Sequence, residues 1–166
     1  MNALRPTVVA AVVSLALAAP EARAGIADSP LPVLSAGATT LHLYSVPGVI
    51  AGGGLDTFFS CTSTGTAAMQ VGVELFAGPG GAPINDAATT SLSVAPGATV
   101  IFGTIPAVGI SVSSSVGGGF GNGSARVLAT SNKLACTAFL ADPFNAPLTS
   151  MAHLTIVKKT TQKAAN

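Results

Sequence analysis

The run DTFFSCTSTGT, residues 56–66, decides how this chain folds. Thr57, Phe59 and Cys61 fall on alternate positions, so a strand over 56–63 sets them on one face. Ser63-Thr64-Gly65-Thr66 then reads as a turn. Cys61 is one of two cysteines in 166 residues, the other being Cys136. Their separation excludes a local Cys-x-x-Cys redox or zinc motif. What they do depends on the compartment.

The first residues address that question. Arg5 and the amino terminus supply positive charge, and Val8 to Ala19 is apolar or small except for Ser14. Pro20 follows, then Ala22-Arg23-Ala24, with small residues where a signal peptidase reads. The apolar run is roughly a dozen residues, shorter than the ~20 of a spanning helix, so a cleaved leader is preferred to an uncleaved anchor. Cleavage after Ala24 starts the mature chain at Gly25. An exported chain meets oxidising conditions, so Cys61 and Cys136 are expected to form a structural disulfide, tying two stacked sheets together. A thiol nucleophile would have to stay reduced after export and would need a base beside it.

Removing Arg5, Arg23 and Glu21 with the leader leaves five basic and five acidic side chains, a neutral balance. That disfavours nucleic acid, whose binders carry a basic patch, and anionic lipid, whose binders carry a polybasic cluster. No second long apolar run follows, so no membrane span is expected after cleavage.

The rest alternates like strands, interrupted by Gly and Pro. The expected division is a leader (1–24), an extended lead-in (25–37), a β-sandwich (38–159) and a flexible tail (160–166). Strands are expected at 41–46, closed by Pro47-Gly48, and at 56–63. Others are expected at 69–76, 90–94, 99–104, 124–130, 133–141 and 151–157. Val71, Val73 and Leu75 point one way, and Gln70, Gly72 and Glu74 the other. Pro96-Gly97 suits a type II turn, so 90–94 and 99–104 read as a hairpin, with Leu92, Val94, Val100 and Phe102 facing the core. The pair 124–130 and 133–141 reads as a second hairpin, lined by Ala125, Val127 and Ala129 against Leu134, Cys136, Ala138 and Leu140. About eight short strands with turns between them give an all-β, antiparallel β-sandwich.

The segments FFSCTSTGTAAMQVGVELFAG and TTSLSVAPGATVIFGT, within 56–104, resemble bacterial immunoglobulin-like modules of the cell-adhesion-related type. Thr64-Gly65, the alternating Val71 to Phe76, Leu92 and Pro96 to Val100 carry the resemblance. It covers about a third of the chain and implies an immunoglobulin-like sandwich with an extracellular structural or binding role. The chain departs from the pattern. It lacks the turn asparagine and has no tryptophan, and no tyrosine-corner residue is visible.

Little in the sequence carries chemistry. His42 and His153 are the two histidines. Alternation turns both outward, and they meet only if the first and last strands pair. Two separated histidines more often sit solvated than hold zinc or copper, so no metal or other cofactor is expected, with His42 and His153 as the candidates if one binds. Asp56 reads as a cap of the adjacent glycine loop rather than a general base. Gly52-Gly53-Gly54 and Gly117-Gly118-Gly119 lack P-loop context and read as flexible loops. Asn122-Gly123-Ser124 is a sequon that also fits a tight turn. No Gly-x-Ser-x-Gly elbow is present.

Phe58 and Phe76 would share a face away from Cys61, joined by Leu128 and Phe139. That face is either covered by a loop or open as a contact face for another protein or a second copy. The expected function is therefore a non-enzymatic protein of the cell envelope or the exterior, with a structural, adhesion or protein-binding role. The alternatives are a small secreted metal-binding protein or enzyme using His42 and His153, and a pilus-like or coat subunit.

Overall fold

The computed structural model describes residues 25–78, 81 and 83–159; the expected leader at 1–24 and tail at 160–166 lie outside the described residues. The described strands are β1 (Leu41–Gly52), β2 (Leu55–Ser63), β3 (Met69–Ala77), β4 (Leu92–Val94), β5 (Thr99–Gly103), β6 (Ser114–Ser115), β7 (Asn122–Ala129), β8 (Leu134–Ala141), β9 (Met151–Leu154) and β10 (Val157–Lys158). One short helix, α1 (Ala87–Thr90), is capped by the Asp86 carboxylate, which accepts from Ala88 N.

Two sheets result. One runs β10-β1-β7-β3-β4 and the other β9-β8-β2-β5-β6. Every pair is antiparallel except the short β5–β6 contact. The sheets enclose one core of Val46, Val71, Val73, Leu75, Val127 and Ala129 from the first, and Phe59, Cys61, Phe102, Leu134 and Ala138 from the second. β1 runs on past Pro47-Gly48 through a bulge, where Gly48 takes φ 72°. The expected end at Val46 is therefore a kink, the kind of place a sheet tolerates proline. Beyond it, Ala51 and Gly52 pair with Asp56 and Leu55, so β1 links both sheets.

The core faces match the alternation, but the strand partners do not. β4 pairs with β3 and β5 with β2, so the Pro96-Gly97 turn carries the chain from one sheet to the other and makes no hairpin. The turn itself forms, with Ala98 N donating to Ala95 O at 3.0 Å and Gly97 at φ 72°. The expected hairpin at 124–141 is likewise a crossing, because β7 lies between β1 and β3 while β8 lies between β2 and β9. A period of two states which side faces inward, and two facing sheets satisfy it as well as one hairpin does.

The disulfide forms, in a different place from the one expected. Cys61 and Cys136 lie directly opposite each other on neighbouring strands of one sheet, with Cα atoms 4.2 Å apart. The bond locks the β2–β8 register and does not join the sheets. A hydrogen bond across the core does span them: the buried Tyr44 hydroxyl on β1 donates to Leu134 O on β8 at 2.5 Å.

The outer faces are clad by the chain itself. On the first sheet Arg126, 1% exposed, lies opposite Glu74 and donates from Nε and Nη2 to its Oε2 at 2.5 Å. Nη1 and Nη2 also donate to Ser29 O at 2.9 Å and Pro30 O at 2.7 Å, and the guanidinium stands 5.0 Å from the Phe76 ring centre. Leu34 and Ala87 cover Leu128. Glycine at position 72 permits this, since a Cβ there would come within 2.9 Å of Ala87 O. The segment 25–37 is thus folded against the sandwich, and residue 38 marks no edge of the packed unit.

The four residues expected to share a contact face are split between the sheets. Phe76 and Leu128 are buried under the lead-in and α1, while Phe58 is buried and stacks on half-buried Phe139, centroids 5.6 Å apart. Phe58 also lies opposite Gly103, whose missing side chain makes room for the ring. β2 and β3 follow each other in sequence but belong to different sheets, so the shared face does not exist.

Removing the disulfide by Cys61→Ser with Cys136→Ser is expected to lower unfolding free energy by ~4 kcal/mol in chemical denaturation, from the entropy of a 75-residue loop. The fold itself is expected to survive, since the register is also set by the core alternation. Glu74→Ala strands a buried guanidinium and is expected to cost about 3–5 kcal/mol. Limited proteolysis of that variant should cut first within 25–37.

Candidate functional site

His42 and His153 are not brought together. His42 lies opposite Leu128 on the outer face of the first sheet, whereas His153 lies opposite Phe139 on the outer face of the second. The C-terminal segment does pair with β1, as the histidine idea requires. However, the expected strand 151–157 breaks after Leu154 and changes sheets, so Val157 and Lys158 arrive beside Ser45 and Tyr44 in place of His153. Among the described residues no three His, Cys, Asp or Glu side chains gather where they could hold a metal ion.

Around His42 is an open groove of about 910 Å3. Ile26 and Leu31 of the lead-in form one wall, and Val157, Lys158 and Lys159 form the other. Its floor is the outer side of β1 around His42 and Ser45. Lys159 is held there by its backbone, whose N–H donates to Leu43 O at 2.7 Å. Neither lysine meets a carboxylate among the described residues.

His42 Nε2 lies 3.1 Å from Tyr44 O and 3.0 Å from Ser45 Oγ. A carbonyl can only accept, so Nε2 carries the proton and cannot take one from Ser45. Burial, then the charges of Lys159 and Arg126, lower the imidazole pKa to about 4, against the Tyr44 hydrogen bond. The ring is therefore neutral at physiological pH. It is also a weak base, and among the described residues no carboxylate orients it. The Ser45–His42 contact lacks what a nucleophile–base pair needs.

A second concavity, a cleft of about 480 Å3, lies where both glycine runs meet. Gly52, Gly53 and Gly54 face Gly117, Gly118 and Gly119 across it, with Asp56, Thr104, Phe120 and Phe144 also lining it. The runs are shaped, not slack. Gly53 and Gly54 take φ of 67° and 83°, and a Cβ on Gly117 would lie 2.1 Å from Thr104 O. Asp56 does more than end the loop: Thr104 Oγ1 donates to its Oδ1 at 3.0 Å. Burial pushes this carboxyl pKa upward, and that hydrogen bond pulls it back.

The groove lysines and the cleft escape sequence reasoning because each assembles residues far apart in the chain. The one local signal was the charged pair Lys158-Lys159 just after a strand. No family model, no curated protein and no solved structure matches this chain. The resemblance to immunoglobulin-like modules has no such match behind it, and what stands is the all-β, two-sheet architecture with its disulfide.

Because His42 has a lowered pKa in the folded state, its share of stability is whole above about 6.5 and is lost as pH falls toward about 4. The buried Asp56 and Glu74 carboxyls are pushed upward and work the other way, so the readout is a difference. Denaturation of wild type minus His42→Gln is expected to slope downward with falling pH across that window. Parallel curves for the two proteins would contradict the assignment.

Proposed function

We infer that this chain is an exported, non-catalytic β-sandwich that holds an acidic segment of a partner protein in the groove beside His42, at the cell envelope or outside the cell. The observation that carries this is the composition of the groove. Lys158 and Lys159 line it beside apolar residues, among the described residues neither meets a carboxylate and none lines the groove, and the neutral histidine is tied to backbone. Such a surface attracts negative charge and buries apolar area but has no group poised to move a proton.

Export is supported by the leader pattern and by the disulfide, which suits an oxidising compartment. No helix among the described residues is long and apolar enough to cross a membrane. Cleavage after Ala24 would also suit the local contacts of Gly25. Gly25 N donates to Asp28 Oδ1 at 2.6 Å, and a new amino terminus there would turn that bond into an ion pair. The immunoglobulin-like resemblance within 56–104 supports a binding module by analogy of pattern.

A coat or pilus subunit polymerising by strand edges draws less support. The outermost described strands, β4, β6, β9 and β10, have two to four residues each. Where β3 runs beyond β4, Asn85 occupies the edge: its Oδ1 accepts from Leu75 N and its Nδ2 donates to Val73 O. Short and plugged edges hinder strand addition.

Expressed with its own leader, the protein is expected outside the cytoplasm as a polypeptide beginning at Gly25 with no free thiol by mass spectrometry. A labelled acidic peptide should bind the mature protein, more weakly as salt rises. A Lys158→Glu, Lys159→Glu variant should lose about tenfold in affinity. Equal binding by the variant, or a full-length cytoplasmic product with free thiols, would count against this reading.

A further inference from the structure

We propose that the cleft between the two glycine runs binds a primary ammonium group carried on an apolar stem, with Asp56 as the counter-ion. The inference is independent of the groove beside His42.

Asp56 is 3% exposed, yet only one of its oxygens is engaged, by Thr104 Oγ1 at Oδ1. Among the described residues nothing donates to Oδ2, and no basic side chain pairs with the carboxylate. Ser63 Oγ is the sealed side-chain polar atom that lacks a partner among the described residues, so Oδ2 is not sealed and can be reached from the cleft. A carboxylate this shielded is stabilised by a cation, and none stands beside it among the described residues. A cation entering the cleft would supply the complement.

The geometry selects the kind of cation. A guanidinium pairs best through two parallel bonds to both oxygens, and Oδ1 is already taken. A divalent metal wants several oxygen ligands, and no cluster of acidic or histidine side chains is present among the described residues. An ammonium is compact and carries three donors. One can meet Oδ2, and the others face walls where six glycines present only backbone. The stem then runs outward along Ile105, Pro106 and Phe120 to Phe144, which is 63% exposed at the rim. The cleft is pre-shaped, since Gly117 packs against Thr104 so closely that no side chain fits between them.

The test follows backbone amide resonances of the full mature protein during titration with Nα-acetyl-lysine amide, butylamine, Nα-acetyl-norleucine amide and calcium chloride. Both amines are expected to give saturable shifts centred on Gly52–Gly54 and Gly117–Gly119. The uncharged norleucine compound should give none. Tighter binding of the lysine amide would point to a protein-borne lysine, and tighter binding of butylamine to a free amine. Asp56→Asn keeps the shape and the Thr104 bond but removes the charge, and is expected to weaken amine binding at least tenfold. Unchanged resonances away from the cleft would confirm that this variant folds. If it does not fold, the norleucine comparison still decides. Four results would overturn the proposal: no saturable shift with either amine, equal shifts with norleucine, undiminished binding by Asp56→Asn, or saturation by calcium at lower concentration than either amine.

Discussion

A guanidinium buried on the outer face of a sheet organises this molecule. Arg126 projects away from the core, where a strand of a simple sandwich would show a solvated side chain. Covering it removes its water, and a charge so placed must be matched by partners. Glu74 lies directly opposite on β3 and supplies the negative charge. The carbonyls of Ser29 and Pro30 accept the remaining guanidinium donors, so the lead-in has to lie across the sheet. Once it does, Leu34 reaches Leu128, α1 closes over Gly72, and Ile26 and Leu31 become a wall of the groove beside His42. The same guanidinium helps keep that histidine uncharged.

The second sheet is secured differently. The cross-strand disulfide holds β8 against β2 at Cys61 and Cys136, and the Phe58–Phe139 stack reinforces the pair on the opposite face. Beyond β8 the chain folds back through residues 142–150. The Asp142 side chain there accepts from Phe144 N and from the side chains of Asn145 and Thr149. These hydrogen bonds hold the Asp142 carboxyl below its ordinary pKa. That loop meets the segment after Thr104, where Val108 N donates to Pro143 O at 2.8 Å, and it brings Phe144 to the rim of the glycine-walled cleft.

The groove and the cleft carry opposite charge, although cleavage of the expected leader would leave no net charge. Among the described residues the groove is lined by lysines without carboxylates, and the cleft by a carboxylate without a base. A small net charge therefore hides local polarity. Composition bears on broad electrostatic partners, but it says nothing about sites built from one or two charges.

Much was legible in the residues alone. The approximate positions of most strands, the inward faces of Val71, Val73, Leu75, Phe102 and Ala138, and the single possible cysteine pairing follow from period-two alternation and counting, whereas β6 and the helical Thr90 do not. Those are local properties, readable over a few residues. What only the tertiary structure decided is which strand lies beside which. The turns at Pro96-Gly97 and Ser131-Asn132 carry the chain between sheets, the disulfide lies within one sheet, and the segment after β8 splits so that Lys159, not His153, comes near His42. Alternation reports the side a residue faces and carries no information about its neighbour across the sheet. That choice is made by packing energy summed over the whole core, and both candidate sites are assembled by it.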